Sequence, residues 1–402
     1  LFILNYKRSF FMEEYHYLLD LALILFTTKL FGLISQKFKM PQVVGALLAG
    51  LILGPAVLNI VQKSNFITTT SEIGVIILMF CAGLETDVKE LKKCGKASFV
   101  IALLGVIVPL LGGFGVAYFF NQPGIIDSGA TCNVFLQNVF IGVILTATSV
   151  SITVETLKEL GRLKSESGNA ILGAAIIDDI LGIIALTVIT SLADSSVNVW
   201  IVLLKILGFF AMVIVAGFAF YKLYVWWANR SKHLRHRHAI ICFVFCLGMS
   251  YAAEALFGVA DITGAFFAGL IISLTQSSEY LAKKFDVLSY LLLSPIFFAS
   301  IGLNVVLPSM SVQIIVFAVV ITIVAIITKI IGCGLGAKIC GYKKYQCKRI
   351  GIGMISRGEV ALIVANKGAS MGLLGSVMLG PIVIMVIATT IITPILLKIV
   401  YS

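Results

Sequence analysis

Charge is scarce in this sequence. Only 12% of its 402 residues are Asp, Glu, Lys or Arg, against 59% hydrophobic. A soluble chain of this length would divide into two or three domains with charged surfaces. That class is excluded by apolar runs recurring every 25 to 35 residues or so, each about as long as a helix that spans a bilayer. Acidic residues are scarcer than basic ones, 19 against 30, giving a net charge of +11. The basic residues sit in short loops between apolar runs, so no nucleic-acid partner is expected. Histidine occurs four times, three of them in "KHLRHRH" (232–238), which reads as a cytoplasmic anchor loop. The eight cysteines are scattered, mostly inside apolar runs, with neither disulfide nor zinc spacing. No small-residue cleavage site follows the first apolar run, 17–36, so it reads as a span and not as a signal peptide. No cofactor motif is present: no G-x-G-x-x-G follows a strand pattern, and no regulatory domain is expected in this chain.

The resulting fold class is an all-α polytopic membrane protein, with thirteen predicted transmembrane helices. Of the 30 Lys and Arg residues, Lys29, Lys205, Lys329 and Arg357 fall within spans. Lys7, Arg8, Lys63 and Lys367 lie on one side, and the remaining 22 follow odd-numbered spans. Positive charge is retained on the cytoplasmic side. The expected protein is therefore multi-pass in the cell membrane, N-terminus outside and C-terminus cytoplasmic.

An internal repeat is legible. The second span reads "VVGALLAGLILGP" (43–55) and the ninth "ITGAFFAGLIISL" (262–274), aligned at Gly45 and Gly264, an offset of 219. "LMFCAGLETDV" (78–88) and "IFFASIGLNVV" (296–306) align at the same offset, through Gly83 and Gly302. The repeat is seven spans long. Seven is odd, so the second copy enters the membrane from the opposite side, as in inverted-topology transporters. The expected repeats are 17–193 and 238–399, joined by a linker helix at 199–227, within one membrane transport domain.

Corresponding spans of the two halves carry helix-breaking sequences. "ILTATSVSITVETL" (144–157) crowds Thr146, Thr148, Ser149, Ser151 and Thr153 into the fifth span. "IGIGMISRGEVALIV" (350–364) places Gly351, Gly353, Ser356 and Gly358 around Arg357 and Glu359 in the twelfth. Two crossing broken helices are predicted. Freed backbone groups are tolerated where a cavity or protein surrounds them, and the half-helix ends offer partial charges to ions.

"AAIIDDILGII" (174–184) puts Asp178 and Asp179 in the middle of a greasy span. A charge at that depth costs roughly 2.5–3.5 kcal/mol on insertion scales. Adjacent helical residues point about 100° apart, so one carboxylate can face a partner while the other faces a cavity. Lys329, in "ITKIIG", is the expected partner; Arg357 and Glu359 can neutralise each other or the half-helix ends. A deprotonated carboxylate in a wet cavity binds a proton or a small hard cation, and not both. Oxygen ligands from Asp179, from Thr146, Thr148 and Ser149 of the broken helix, and from water suit Na⁺ or Li⁺. An ion channel would not need a titratable pair at a repeat interface. An intramembrane aspartyl protease needs its aspartates on separate helices, so an enzyme is not expected.

"TATSVSIT", "AIIDDI", "TKIIG" and "GMISRGEVALIV", in this order and spacing, resemble the sodium/proton antiporters of the cation/proton antiporter-2 family over essentially the whole chain. The resemblance implies thirteen-helix protomers, usually homodimers in the lipid bilayer, working by an elevator movement. It implies a moving core of 97–193 and 312–399, Asp179 as the Na⁺-binding carboxylate and Asp178 as the partner of Lys329. The aspartate pair is similar to that of the electrogenic branch. Related exchangers also move K⁺, so K⁺/H⁺ or mixed exchange is the alternative.

Overall fold

The structure, a computed structural model, describes residues 16–122, 125–126, 129–193, 198–230, 235–305 and 311–402. Among them there is helix and no strand. Long continuous apolar runs can satisfy their backbone N–H and C=O groups inside a bilayer as helices, whose hydrogen bonds all lie within one segment.

The helices in order are α1 (His16–Lys37), α2 (Gln42–Leu53), α3 (Asn65–Glu85), α4 (Val88–Phe120), α5 (Val134–Thr146), α6 (Val150–Glu159), α7 (Glu166–Ala193), α8 (Val199–Arg230), α9 (Arg235–Tyr251), α10 (Asp261–Ser273), α11 (Ser278–Leu288), α12 (Ser294–Leu303), α13 (Val312–Ile339), α14 (Lys344–Gly353), α15 (Glu359–Ser370) and α16 (Ser376–Tyr401). One π-helical turn, Ala252–Leu256, follows α9, and another, Ser289–Leu293, joins α11 to α12. Several starts are capped by side chains. Ser64 accepts from Ile67 N–H, Asp87 from Lys89 and Glu90 N–H, and Asn133 from Phe135 N–H. Each cap satisfies a donor the helix cannot pair itself.

Among the described residues ten segments are long and apolar enough to cross a membrane, accompanied by shorter apolar helices at Gln42–Leu53, Asp261–Ser273 and Val360–Ser370. Length alone thus accounts for ten of the thirteen predicted crossings. Boundaries also differ. The second span, expected to reach residue 61, stops at Leu53, and the tenth, expected from 287, is helical from Ser278. Pro55 after the first and Ser277 before the second are turn residues that hydropathy does not weigh.

Two packing groups surround the broken helices. α4 lies along α13, α5 and α7, and α13 also packs on α14 and α16. α1, α2 and α3 pack with α10, α11 and α12. α6 touches α2, α3, α7 and α16, and so bridges the groups. α8 presents Trp200, Leu204, Ile214 and Phe218 outward, all more than half exposed, as a lipid-facing helix does.

The packing holds a pair of contacts related by the same offset. A Cβ on Gly50 would lie 2.0 Å from the Ala299 carbonyl oxygen, and one on Gly269 would lie 2.2 Å from that of Phe80. Gly50 and Gly269 differ by 219, and so do Phe80 and Ala299. The contact 50–299 therefore maps onto 269–80, with each member moving to the other half. A two-fold relation between the halves would exchange partners in this way. The small residues let the two backbones meet, as in membrane helix pairs generally. Gly50→Ala and Gly269→Ala are each expected to cost about 1–3 kcal/mol or more, because the obstacle is backbone and cannot rotate away. Thermal unfolding in detergent checks this: both variants should melt earlier than the parent by comparable amounts. An unchanged midpoint for either would contradict the close approach.

Candidate ion-binding site

The fifth predicted span is broken. α5 ends at Thr146, Ala147 and Ser149 are extended, and α6 starts at Val150. The twelfth is broken too: α14 ends at Gly353, and α15 starts at Glu359. The two interruptions touch. Ser149 N–H donates to the Ser356 carbonyl at 2.7 Å. The Thr153 hydroxyl donates to the Gly353 carbonyl at 2.7 Å, taking up a C-terminal group that α14 leaves unpaired. A Cβ on Gly358 would come within 2.6 Å of Ser149 Oγ, so that crossing leaves no room for a side chain.

Arg357 sits at this crossing, completely buried. Its Nη2 donates to the carbonyls of Leu145 (2.7 Å) and Ala325 (3.1 Å), and its Nη1 to that of Ile355 (2.8 Å). Leu145 lies in the last turn of α5, so the guanidinium caps the negative end of a half-helix. Nε has no partner. The predicted pairing with Glu359 falls on a side chain outside the described residues. The Thr390 hydroxyl of α16 donates to the Arg357 carbonyl.

The two aspartates differ sharply. Asp178, midway along α7, is 2% exposed. Lys329, completely buried on α13, donates to both of its carboxylate oxygens at 3.0 Å. Arg357 acts on Asp178 from farther off. The Thr148 hydroxyl is aimed at the same carboxylate but falls short of regular hydrogen-bond geometry, and it has no other partner. Asp179 is only half-buried, and among the described residues it makes no hydrogen bond or ion pair.

Of the other predicted oxygen donors, Thr146 gives its hydroxyl proton to Val143 of its own helix at 2.7 Å, and Ser149 Oγ lies 3.3 Å from Ser151 Oγ. The structure therefore brings Asp178, Lys329, Thr148 and Arg357 together, leaves Asp179 unpaired beside them, and turns Thr146 toward its own backbone.

Two features carried no sequence signal, one at the site and one at the far end of α6. Gly105 of α4 lets that helix lie against the ion pair: a Cβ there would be 3.7 Å from Asp178 Oδ1 and 2.6 Å from Cys333 Sγ. Lys158 of α6 binds Glu85 and Asp286, carboxylates far away in sequence. Among the described residues no three His, Cys, Asp or Glu side chains are grouped to hold a metal ion.

Discontinuous helices crossing beside buried charges, in a bundle of apolar helices, define a multi-pass membrane transport protein. The chain belongs to the family described as sodium/hydrogen exchanger, transmembrane, whose model matches residues 22–401. It is 41% identical to the Na(+)/H(+)-K(+) antiporter GerN of Bacillus cereus, covering 96% of each chain. It is 38% identical to a Na(+)/H(+) antiporter of Enterococcus hirae, covering 94% of this chain and 96% of that one. The fold is similar to that of the sodium proton antiporter MjNhaP1 from Methanocaldococcus jannaschii, with a TM-score of 0.66 at 20% identity, over 94% of this chain and 95% of the other.

Proposed function

We propose that the protein is a secondary antiporter exchanging Na⁺ or Li⁺ for H⁺, electrogenically, by an elevator movement. One observation carries this reading. Two adjacent carboxylates are held in different states, Asp178 sealed against Lys329 and Asp179 half-buried with no hydrogen bond or ion pair among the described residues. A free carboxylate at mid-helix is costly unless a cation or proton visits it. Competition between the two for Asp179 couples their movement, with Thr148 Oγ and half-helix carbonyls as further ligands. The neighbouring ammonium supplies a second proton.

The family and the names of its relatives support sodium and proton as the exchanged ions. The Bacillus cereus relative's name adds K⁺, which favours a mixed Na⁺/K⁺ exchanger as the second reading. In our reading the chain crosses the membrane thirteen times, with its C-terminus cytoplasmic. Residues 17–193 and 238–399 are inverted repeats, and 199–227 links them. The packing group of α4–α7 and α13–α16 is the moving core, and α1–α3 with α9–α12 is the scaffold, paired with a second copy in the membrane. No bound cofactor is needed, since the ions themselves carry the energy.

Proton flux in proteoliposomes, with Na⁺, Li⁺ and K⁺ titrated separately, tests the reading. Na⁺ and Li⁺ are expected to drive proton movement with saturation. Flux driven by K⁺ alone would replace the first reading with the second, and no cation-driven flux would end both.

A further inference from the structure

α6 has a functional end and a far end. Its N-terminal residues form the helix crossing, and its last two residues, Lys158 and Glu159, reach out to the other packing group. Lys158 Nζ lies 3.3 Å from Glu85 Oε1, at the last residue of α3, and also contacts the carboxylate of Asp286 on α11. Both carboxylate oxygens of Glu159 accept from Gln42 N–H at 2.8 Å. Gln42 is the first residue of α2, whose N-cap position is Pro41, a residue with no side-chain group to cap it. Glu159 thus supplies from α6 the anion that α2 lacks locally. Two neighbouring side chains fasten one helix to three helices of the scaffold.

Among the described residues nothing comparable joins the groups at the opposite face. A cavity of about 830 Å³ separates Ser71, Glu72 and Asn304 of the scaffold from Ile363, Asn366 and Leu379 of the core. Among the described residues no hydrogen bond or ion pair crosses it. The clasped face has a cavity of about 540 Å³, and Gln42, Glu155, Lys158, Glu159 and Asp286 are among its walls. The charge pattern places Lys158 on the cytoplasmic side.

We propose that Lys158 and Glu159 form an inner clasp, which holds the core against the scaffold while the ion site faces outward and must open for the site to face the cytoplasm. Both are positioning residues, since neither touches the ion. The inference rests on the alternating-access reading above. It explains why the polar contacts between the groups concentrate at one end of α6: a sliding body needs one breakable attachment in each end state. Partly exposed ion pairs are weak enough to break on every cycle.

The test uses a transport-competent parent whose eight native cysteines are replaced, carrying Ile363→Cys as a reporter in the outer cavity, where the native side chain is 63% exposed. An impermeant maleimide is applied from outside to intact cells. Lys158→Gln and Glu159→Gln are each expected to slow labelling roughly three- to fivefold, as the equilibrium moves inward. Lys158→Arg, which keeps charge and reach, should restore the parent rate. Labelling within twofold of the parent in both glutamine variants would overturn the clasp. Should Lys158→Gln fail to fold, Glu159→Gln decides alone, because it leaves the Lys158 pairs intact. Failure of the antiporter reading shows separately, as absence of cation-driven proton flux in the parent.

Discussion

Asp179→Asn is expected to abolish cation-driven proton exchange while leaving the fold nearly untouched. Asparagine keeps the shape of the side chain but can neither take up nor release a proton, so the competition that couples the two ions disappears. The fold should tolerate it, because Asp179 makes no hydrogen bond or ion pair among the described residues. A change of less than about 1 kcal/mol in stability is expected. Asp178→Asn should behave differently. It leaves Lys329 buried opposite an amide, and breaking a buried pair from one side costs about 3–5 kcal/mol. The two substitutions are one residue apart and chemically identical, so the contrast between them isolates environment from chemistry. Proton flux in proteoliposomes and thermal unfolding of the same preparations provide the measurements. Exchange near the parent rate in Asp179→Asn would remove Asp179 from the ion path. Equal loss of stability in both would mean that Asp179 is a structural charge.

Much of this site was legible in the sequence because membrane charges are expensive. Asp178, Asp179, Lys329 and Arg357 stand out against apolar neighbours, and the different directions of adjacent helical side chains already separated the two aspartates. The breaks were legible because Ser and Thr at mid-span compete for the helical backbone's hydrogen bonds, and Gly loosens the backbone itself. The repeat expected from Gly45, Gly83, Gly264 and Gly302 rests on glycines where close backbone contact admits no larger residue. The partners of Arg357 were not legible. A guanidinium satisfied by the carbonyls of Leu145, Ala325 and Ile355 leaves no mark on the residue types that supply those carbonyls. The end of α2 and the start of α11 were missed because hydropathy continues past Pro55 and does not register Ser277. The clasp was missed for a related reason: Glu85, Lys158, Glu159 and Asp286 look like ordinary loop charges until the fold brings them together.

Under the proposed electrogenic exchange, Lys329→Gln is expected to leave exchange weakly electrogenic or electroneutral. In the structure the ammonium is completely buried and gives two hydrogen bonds to one carboxylate. In the proposed mechanism, Na⁺ entering beside Asp179 draws Asp178 toward the ion, and the ammonium loses its partner. A buried lysine without its counter-ion gives up its proton. On that mechanism, together with the proton displaced from Asp179, two protons would move against one sodium ion. One net charge per cycle is worth about 2.3 kcal/mol per 100 mV of membrane potential. Glutamine keeps most of the volume and a hydrogen bond to Asp178 but has no proton to release. Asp178 can then become neutral by taking up a proton, which limits the cost of leaving a carboxylate in an apolar site. Reduced but measurable Na⁺-driven proton flux should therefore survive. The Na⁺-evoked charge displacement on a solid-supported membrane should shrink more than the flux does. If Lys329 is instead a fixed counter-ion and Asp178 carries the second proton, the variant will be less stable yet will give a charge displacement in its normal ratio to flux. That ratio, measured on purified parent and variant at equal protein density, decides between the two carriers without touching the assignment of Asp179.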